Sequence, residues 1–173
     1  MELTIDRYWD GTPCRDTRLY GRVHLERSDA GLVITASLPH QPRPRIPDAA
    51  VGSRVANMWE YDVVECFLAG VSTYLEVELG AGGHFLVLDF SAPRVRRKEY
   101  ADFVPCLTFT GSGERWSSTI VIPADIVPAG LKAVNAFVIV RDRFLAYHPT
   151  PGPVPDFHHV ALSALRETSR ADS

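Results

Sequence analysis

Short apolar segments with period-2 alternation, punctuated at close intervals by glycine and proline, are the feature that most limits what this chain can become. With 12 glycines and 13 prolines spread along 173 residues, no apolar run lasts more than a few positions. Candidate strands are Leu3–Arg7, Leu19–Glu26, Leu32–Leu38, Glu60–Leu68, Thr73–Leu79, His84–Phe90, Leu107–Phe109, Trp116–Ile122, Ala136–Arg141 and His158–Leu162. So many short strands require two packed sheets, because one open sheet of that width would leave an apolar face in water. The expected fold is therefore all-β, a two-sheet antiparallel β-sandwich with minimal helix. Pro123–Val127 and Leu162–Glu167 are each expected to form one or two helical turns at most.

The length suits one domain, read as residues 1–167 followed by a polar tail, Thr168–Ser173. The four prolines of Pro39–Pro47 remove four backbone donors, which predicts a long rim loop instead of a central strand. Lys plus Arg number 18 against 21 Asp plus Glu, a net charge of −3 that offers no footprint for nucleic acid. The Met-Glu-Leu-Thr-Ile-Asp start has no signal pattern, and the apolar runs fall far below a membrane span. A cytoplasmic protein with no membrane and no nucleic-acid partner is the expectation. Cys14, Cys66 and Cys106 have no CxxC spacing and are read as buried free thiols.

The block Trp59-Glu60-Tyr61-Asp62-Val63-Val64-Glu65-Cys66-Phe67 carries the chemistry. Read as one strand, it puts Trp59, Tyr61, Val63, Glu65 and Phe67 on one face. The following strand alternates Leu75, Val77 and Leu79 with Tyr74, Glu76 and Glu78. A four-residue connection, Ala69–Ser72, sets Glu65 against Glu76 and Val63 against Glu78. Like charges facing each other in a sheet demand an arginine such as Arg94 or Arg22, a cation, a shared proton or a polar ligand. Three aromatic rings beside those carboxylates point to a ligand surface. His84 follows the Gly80-Ala81-Gly82-Gly83 turn and is a candidate base. Arg94 opens a basic run, Arg94–Lys98, read as a solvated loop. Farther on, His148, Asp156, His158 and His159 surround a proline-rich loop. His158 and His159 are adjacent and cannot easily share an ion, and no DxDxDG loop is present, so no metal and no cofactor are expected.

Trp59-x-Tyr61-x-Val63-Val64-Glu65-x-Phe67, Tyr74 to Leu79, Gly83-His84-x-Leu86-Val87-Leu88, the strand from Trp116 to Ile122-Pro123, Asn135-Ala136-Phe137 and Pro155-Asp156-Phe157-His158 occur in an order that resembles an uncharacterised family found in bacteria and animals. Trp9-Asp10-Gly11-x-Pro13 fits the same pattern. That family is in turn distantly similar to the DOMON-like superfamily and to carbohydrate-binding module family 9. The resemblance implies a jelly-roll-type sandwich and sugar or heme binding; Met58 is the internal methionine that a heme would need.

The leading functional expectation is a non-catalytic small-ligand or carbohydrate-binding sandwich. Its site would be made of Trp59, Tyr61, Glu65, Tyr74, Glu76, Glu78, Arg94, His148, Asp156 and His158. The alternative is a small-metabolite lyase, isomerase or cyclase with Glu65, Glu76 and His84 as general acid and base.

Overall fold

A computed structural model describes residues 1–150, 152–158 and 163–164. Two antiparallel sheets face each other, as the alternation requires. The first contains β1 (Glu2–Ile5), β3 (Gly21–Ser28), β4 (Gly31–Pro39), β10 (Arg115–Ile122) and β9 (Leu107–Thr110), side by side in that order. The second runs β2 (Arg7–Tyr8), β12 (Arg143–Ala146), β11 (Ala133–Val140), β5 (Val63–Ala69), β6 (Tyr74–Gly80), β7 (Phe85–Ala92) and β8 (Val95–Glu99). A two-residue strand, β13 (Ser163–Ala164), also pairs with β11. Among the described residues helix is confined to single 3-10 turns at Thr17–Leu19 and Met58–Glu60. At Pro123–Val127 the chain makes one turn, in which Ile126 and Val127 both donate to the Pro123 carbonyl.

The sheets differ in how they are buried. In β3, β4 and β10 buried residues alternate with more exposed ones, so the first sheet turns one face to the core and one to water. Every residue of β5, β6 and β11 is buried, so the second sheet is covered on both faces. Its inner face brings Val64, Leu68, Leu75, Val77 and Val138 against Leu3, Ile34, Leu38 and Trp116 of the first sheet. Its outer face carries a second apolar layer of Val63, Phe67, Tyr74, Leu88, Phe90 and Phe137, closed over by Met58 and Phe157. Met58 presses on Gly80, where a Cβ would lie 2.5 Å from the methionine methyl. The prolines of the rim segment shape the connection between the two sheets, and its carbonyl at Arg45 accepts from the Asp62 amide at 3.0 Å.

Several expectations need correction. Residues 58–60 are a 3-10 turn entered through Asn57 at φ 55°, so β5 begins at Val63 and not at Glu60. The basic run is not a loop. Val95–Glu99 pairs with β7, and because all five residues are exposed, alternation gave it no signature. Arg143–Ala146 is a further strand that the turn residues around it concealed. Cys106 is exposed, unlike Cys14 and Cys66, because it precedes the edge strand β9. The proposed strand over His158–Leu162, the helical turn over Leu162–Glu167 and the tail Thr168–Ser173 fall wholly or mostly outside the described residues. Among the described residues no helix is long and apolar enough to cross a membrane.

Candidate functional site

A pocket of about 670 Å³ opens on the outer face of the second sheet. Adjacent strands supply its floor: Glu65 from β5, Glu76 from β6, Leu88 and Phe90 from β7, Ile139 from β11. Its walls come from the Met58–Glu60 turn, through Trp59, from Phe144 of β12, from Arg94 and Arg96 of the β7–β8 hairpin, and from Pro155, Phe157 and His158. The site thus has a rigid floor of strands and walls drawn from segments distant in sequence.

The three glutamates share this face as alternation demands, but the register is shifted. Glu65 stands opposite Glu78, and Glu76 opposite Phe67; Gly70 to Thr73 form the connection. The shift is two residues, which preserves the face and changes the partner. One oxygen from each of Glu65, Glu76 and Glu78 lies within 4.8 Å of the others. Glu78 is 0% exposed, and among the described residues neither of its oxygens has a hydrogen-bond partner. Among the described residues no arginine bonds the glutamates directly: Arg94 pairs with Asp156 at 2.9 Å and Arg96 with Glu99 at 3.1 Å. Burial raises all three carboxyls. Glu65 and Glu78 go well above the usual carboxylate range, Glu76's charge adding to the effect on Glu65 and the charges of Glu65 and Glu76 adding to it on Glu78, and Glu76 is pushed up to about 7 against the pull of Arg96 and Arg94.

Tyr74 does not line the pocket; it braces it. Its ring stacks on Phe90 with centroids 4.8 Å apart and a 5° interplanar angle. Its hydroxyl accepts the Arg94 amide at 3.1 Å and lies 2.8 Å from His158 Nδ1. The amide bond holds Arg94 at φ 60°, a left-handed conformation that aims the hairpin tip back over the sheet. Asp156 works alongside, its Oδ1 accepting from the Arg94 guanidinium and from the His158 amide. Burial and the nearby Arg94 charge lower His158 to about 4. Phe157 stacks on Phe137 at 3.9 Å and so pins the 155–158 segment to the floor.

The remaining candidates lie elsewhere. Tyr61 is half-buried and closes the 3-10 turn by donating its amide to Met58. His84 is buried, with Nε2 2.9 Å from the Ala49 carbonyl, and does not line the pocket with Glu65 and Glu76. The reason is the 46–52 segment, which covers the β6–β7 turn and left no trace in the alternation. His148 is tied through its backbone to the Asn135 side chain and is also outside the pocket. Sequence reasoning missed Arg96, Phe90, Phe144 and Phe157. Parity from Glu76 across β6 into β7 reaches Leu88 and Phe90, so those two had a signal. Phe144 and Phe157 had none.

Searches of known proteins place the molecule. No family model matches the chain. The human UPF0462 protein C4orf33 is 30% identical over 171 residues, covering 91% of this chain and 83% of the human protein. The mouse homologue is 32% identical, covering 92% and 88%. The chain belongs to the UPF0462 family. A UPF0462 member from zebrafish (Danio rerio) is 25% identical over 174 residues. Among solved structures, a Bacteroides uniformis protein described as a candidate carbohydrate-binding protein superposes with a TM-score of 0.68 over 91% of this chain and 81% of that one, at 16% identity. That likeness shows the shared sandwich fold.

Proposed function

We propose that this UPF0462 chain is a non-catalytic binding protein for a carbohydrate or a similar small polyol, held in the pocket over the outer sheet face. The observation that carries the reading is the pairing of ring faces and polar groups around one cavity. Trp59, Phe144 and Phe157 offer apolar surfaces, while Glu65, Glu76, Arg94 and Arg96 offer groups suited to hydroxyls. A pyranose has one apolar and one polar aspect and matches both. The carbohydrate-binding description of the Bacteroides uniformis protein supports the reading. The alternative, acid–base chemistry by Glu65 and Glu76 with His84, loses support because His84 is bonded to a backbone carbonyl away from the pocket.

Isothermal titration against a panel of mono- and oligosaccharides tests this. The expected result is heat with at least one sugar for the wild type and binding about tenfold weaker in Trp59→Ala. No heat with any member, together with an unchanged melting temperature, removes the reading.

A further inference from the structure

We propose that Glu65, Glu76 and Glu78 together bind a hard divalent cation, of the size of calcium or manganese, at the pocket floor. This inference deepens the reading of the pocket as a ligand site and rests on it only for the cavity that gives the ion and its waters access.

The observation behind it is Glu78. A fully buried carboxyl whose two oxygens both lack a partner among the described residues is costly, and here it lies directly across the ladder from a second buried carboxyl, Glu65. Among the described residues no arginine bonds Glu78 directly: Arg94 and Arg96 pair with Asp156 and Glu99, and the Arg96 charge reaches the group only from a distance. The register explains the geometry: Glu65 and Glu78 face each other, Glu76 is two residues along the same face of β6, and all three point outward from the core. Their oxygens lie within 4.8 Å of one another. Ligand oxygens on opposite sides of a calcium ion are about 4.6–5.2 Å apart, from bond lengths of 2.3–2.6 Å, so an ion of that size fits among them without the strands closing. Three carboxylates supply up to six oxygens, and the open cavity above Glu65 and Glu76 admits water for the remaining positions.

The donor set selects the ion's character. All three ligands are carboxylate oxygens, which favour calcium, magnesium or manganese over thiophilic metals. Cys66, the nearest thiol along β5, points to the opposite face of the sheet among the inner core residues. His158 Nδ1 is taken by the Tyr74 hydroxyl. A bound ion would also let hydroxyls of a sugar replace waters in its coordination shell, which ties the floor chemistry to the polyol reading.

The test uses the full chain, stripped with a chelator and then titrated with manganese(II) followed by electron paramagnetic resonance, and in parallel melted with and without calcium chloride. The expected result is loss of the free-manganese signal at one ion per chain and a rise of several degrees in melting temperature with calcium. Both should vanish in Glu78→Gln and in Glu65→Gln and persist in Glu26→Gln, an exposed position on the other sheet. A wild-type manganese spectrum that stays that of the free ion, with no calcium-dependent shift, overturns the proposal, as does full binding by the Glu78→Gln protein. If Glu78→Gln does not fold, the wild-type stoichiometry and Glu65→Gln decide. Ion binding without any sugar binding would sink the polyol reading alone; sugar binding that is indifferent to chelator in a protein that takes up no ion would sink the cation alone.

Discussion

The Tyr74 hydroxyl lies 2.8 Å from His158 Nδ1, a contact between residues 84 positions apart that joins the start of β6 to the 155–158 wall of the pocket. Around it the Phe67, Tyr74 and Phe90 rings enclose the imidazole, at centroid distances of 5.7, 6.0 and 4.9 Å. An imidazole so enclosed, and beside the Arg94 guanidinium, resists protonation.

The pH consequence has a definite sign. His158 takes up a proton near 6.5 when unfolded and at about 4 when folded, so between those values the unfolded chain binds more protons. Its contribution to stability is complete above pH 6.5 and is lost as the pH falls through 4. Melting wild type and His158→Gln at a series of pH values should show the wild-type advantage shrinking steadily from pH 7 to pH 4. A constant difference across that range would contradict a neutral His158.

Trp59 is 39% exposed, and its ring serves the pocket more than the core. Trp59→Ala should leave the melting temperature within a degree or two and weaken sugar binding about tenfold, in line with the loss of one stacked ring. Calorimetry and thermal melts of the same preparation read both.

Phe157 has the opposite balance. Stacked on Phe137 and buried, it holds the 155–158 segment down. Phe157→Ala should cost about 3 kcal/mol in urea unfolding and also remove ligand binding. A loss of binding at full stability would mean that the ring contacts ligand only.

Asp89 is 2% exposed and is held by the Arg97 guanidinium and, at 3.4 Å, by the Tyr100 hydroxyl. Arg97→Ala leaves the buried Asp89 carboxylate without its cation and should lower the denaturation midpoint, whereas the double variant Arg97→Ala with Asp89→Asn should recover much of the loss. Denaturant melts of the single and double variants check the pair.

How far the sequence discloses this site depends on which part is asked about. The face of Glu65, Glu76 and Glu78 is legible because side chains alternate with period 2, and a register error of two residues leaves that parity intact. Their partners are not legible, since pairing depends on whether the β5–β6 connection starts at Ala69 or Gly70. Trp59 reaches the pocket by a route that parity does not describe, through a 3-10 turn entered from a left-handed Asn57. Clean alternation fails on β5, β6 and β11 for a further reason: a sheet covered on both sides has no polar face, and the glutamates that look like solvent-facing positions are inside.

The outer layer over the second sheet divides the molecule's labour in a way selection can use. The inter-sheet core shares none of its residues with that layer, whose covering pieces, around Met58 and around Phe157, arrive from two separate connections. Exchange of those coverings can reshape the walls and the aromatic surfaces while leaving the sandwich to fold as before. Two loops can therefore change the walls of the pocket without touching the residues that hold the two sheets together.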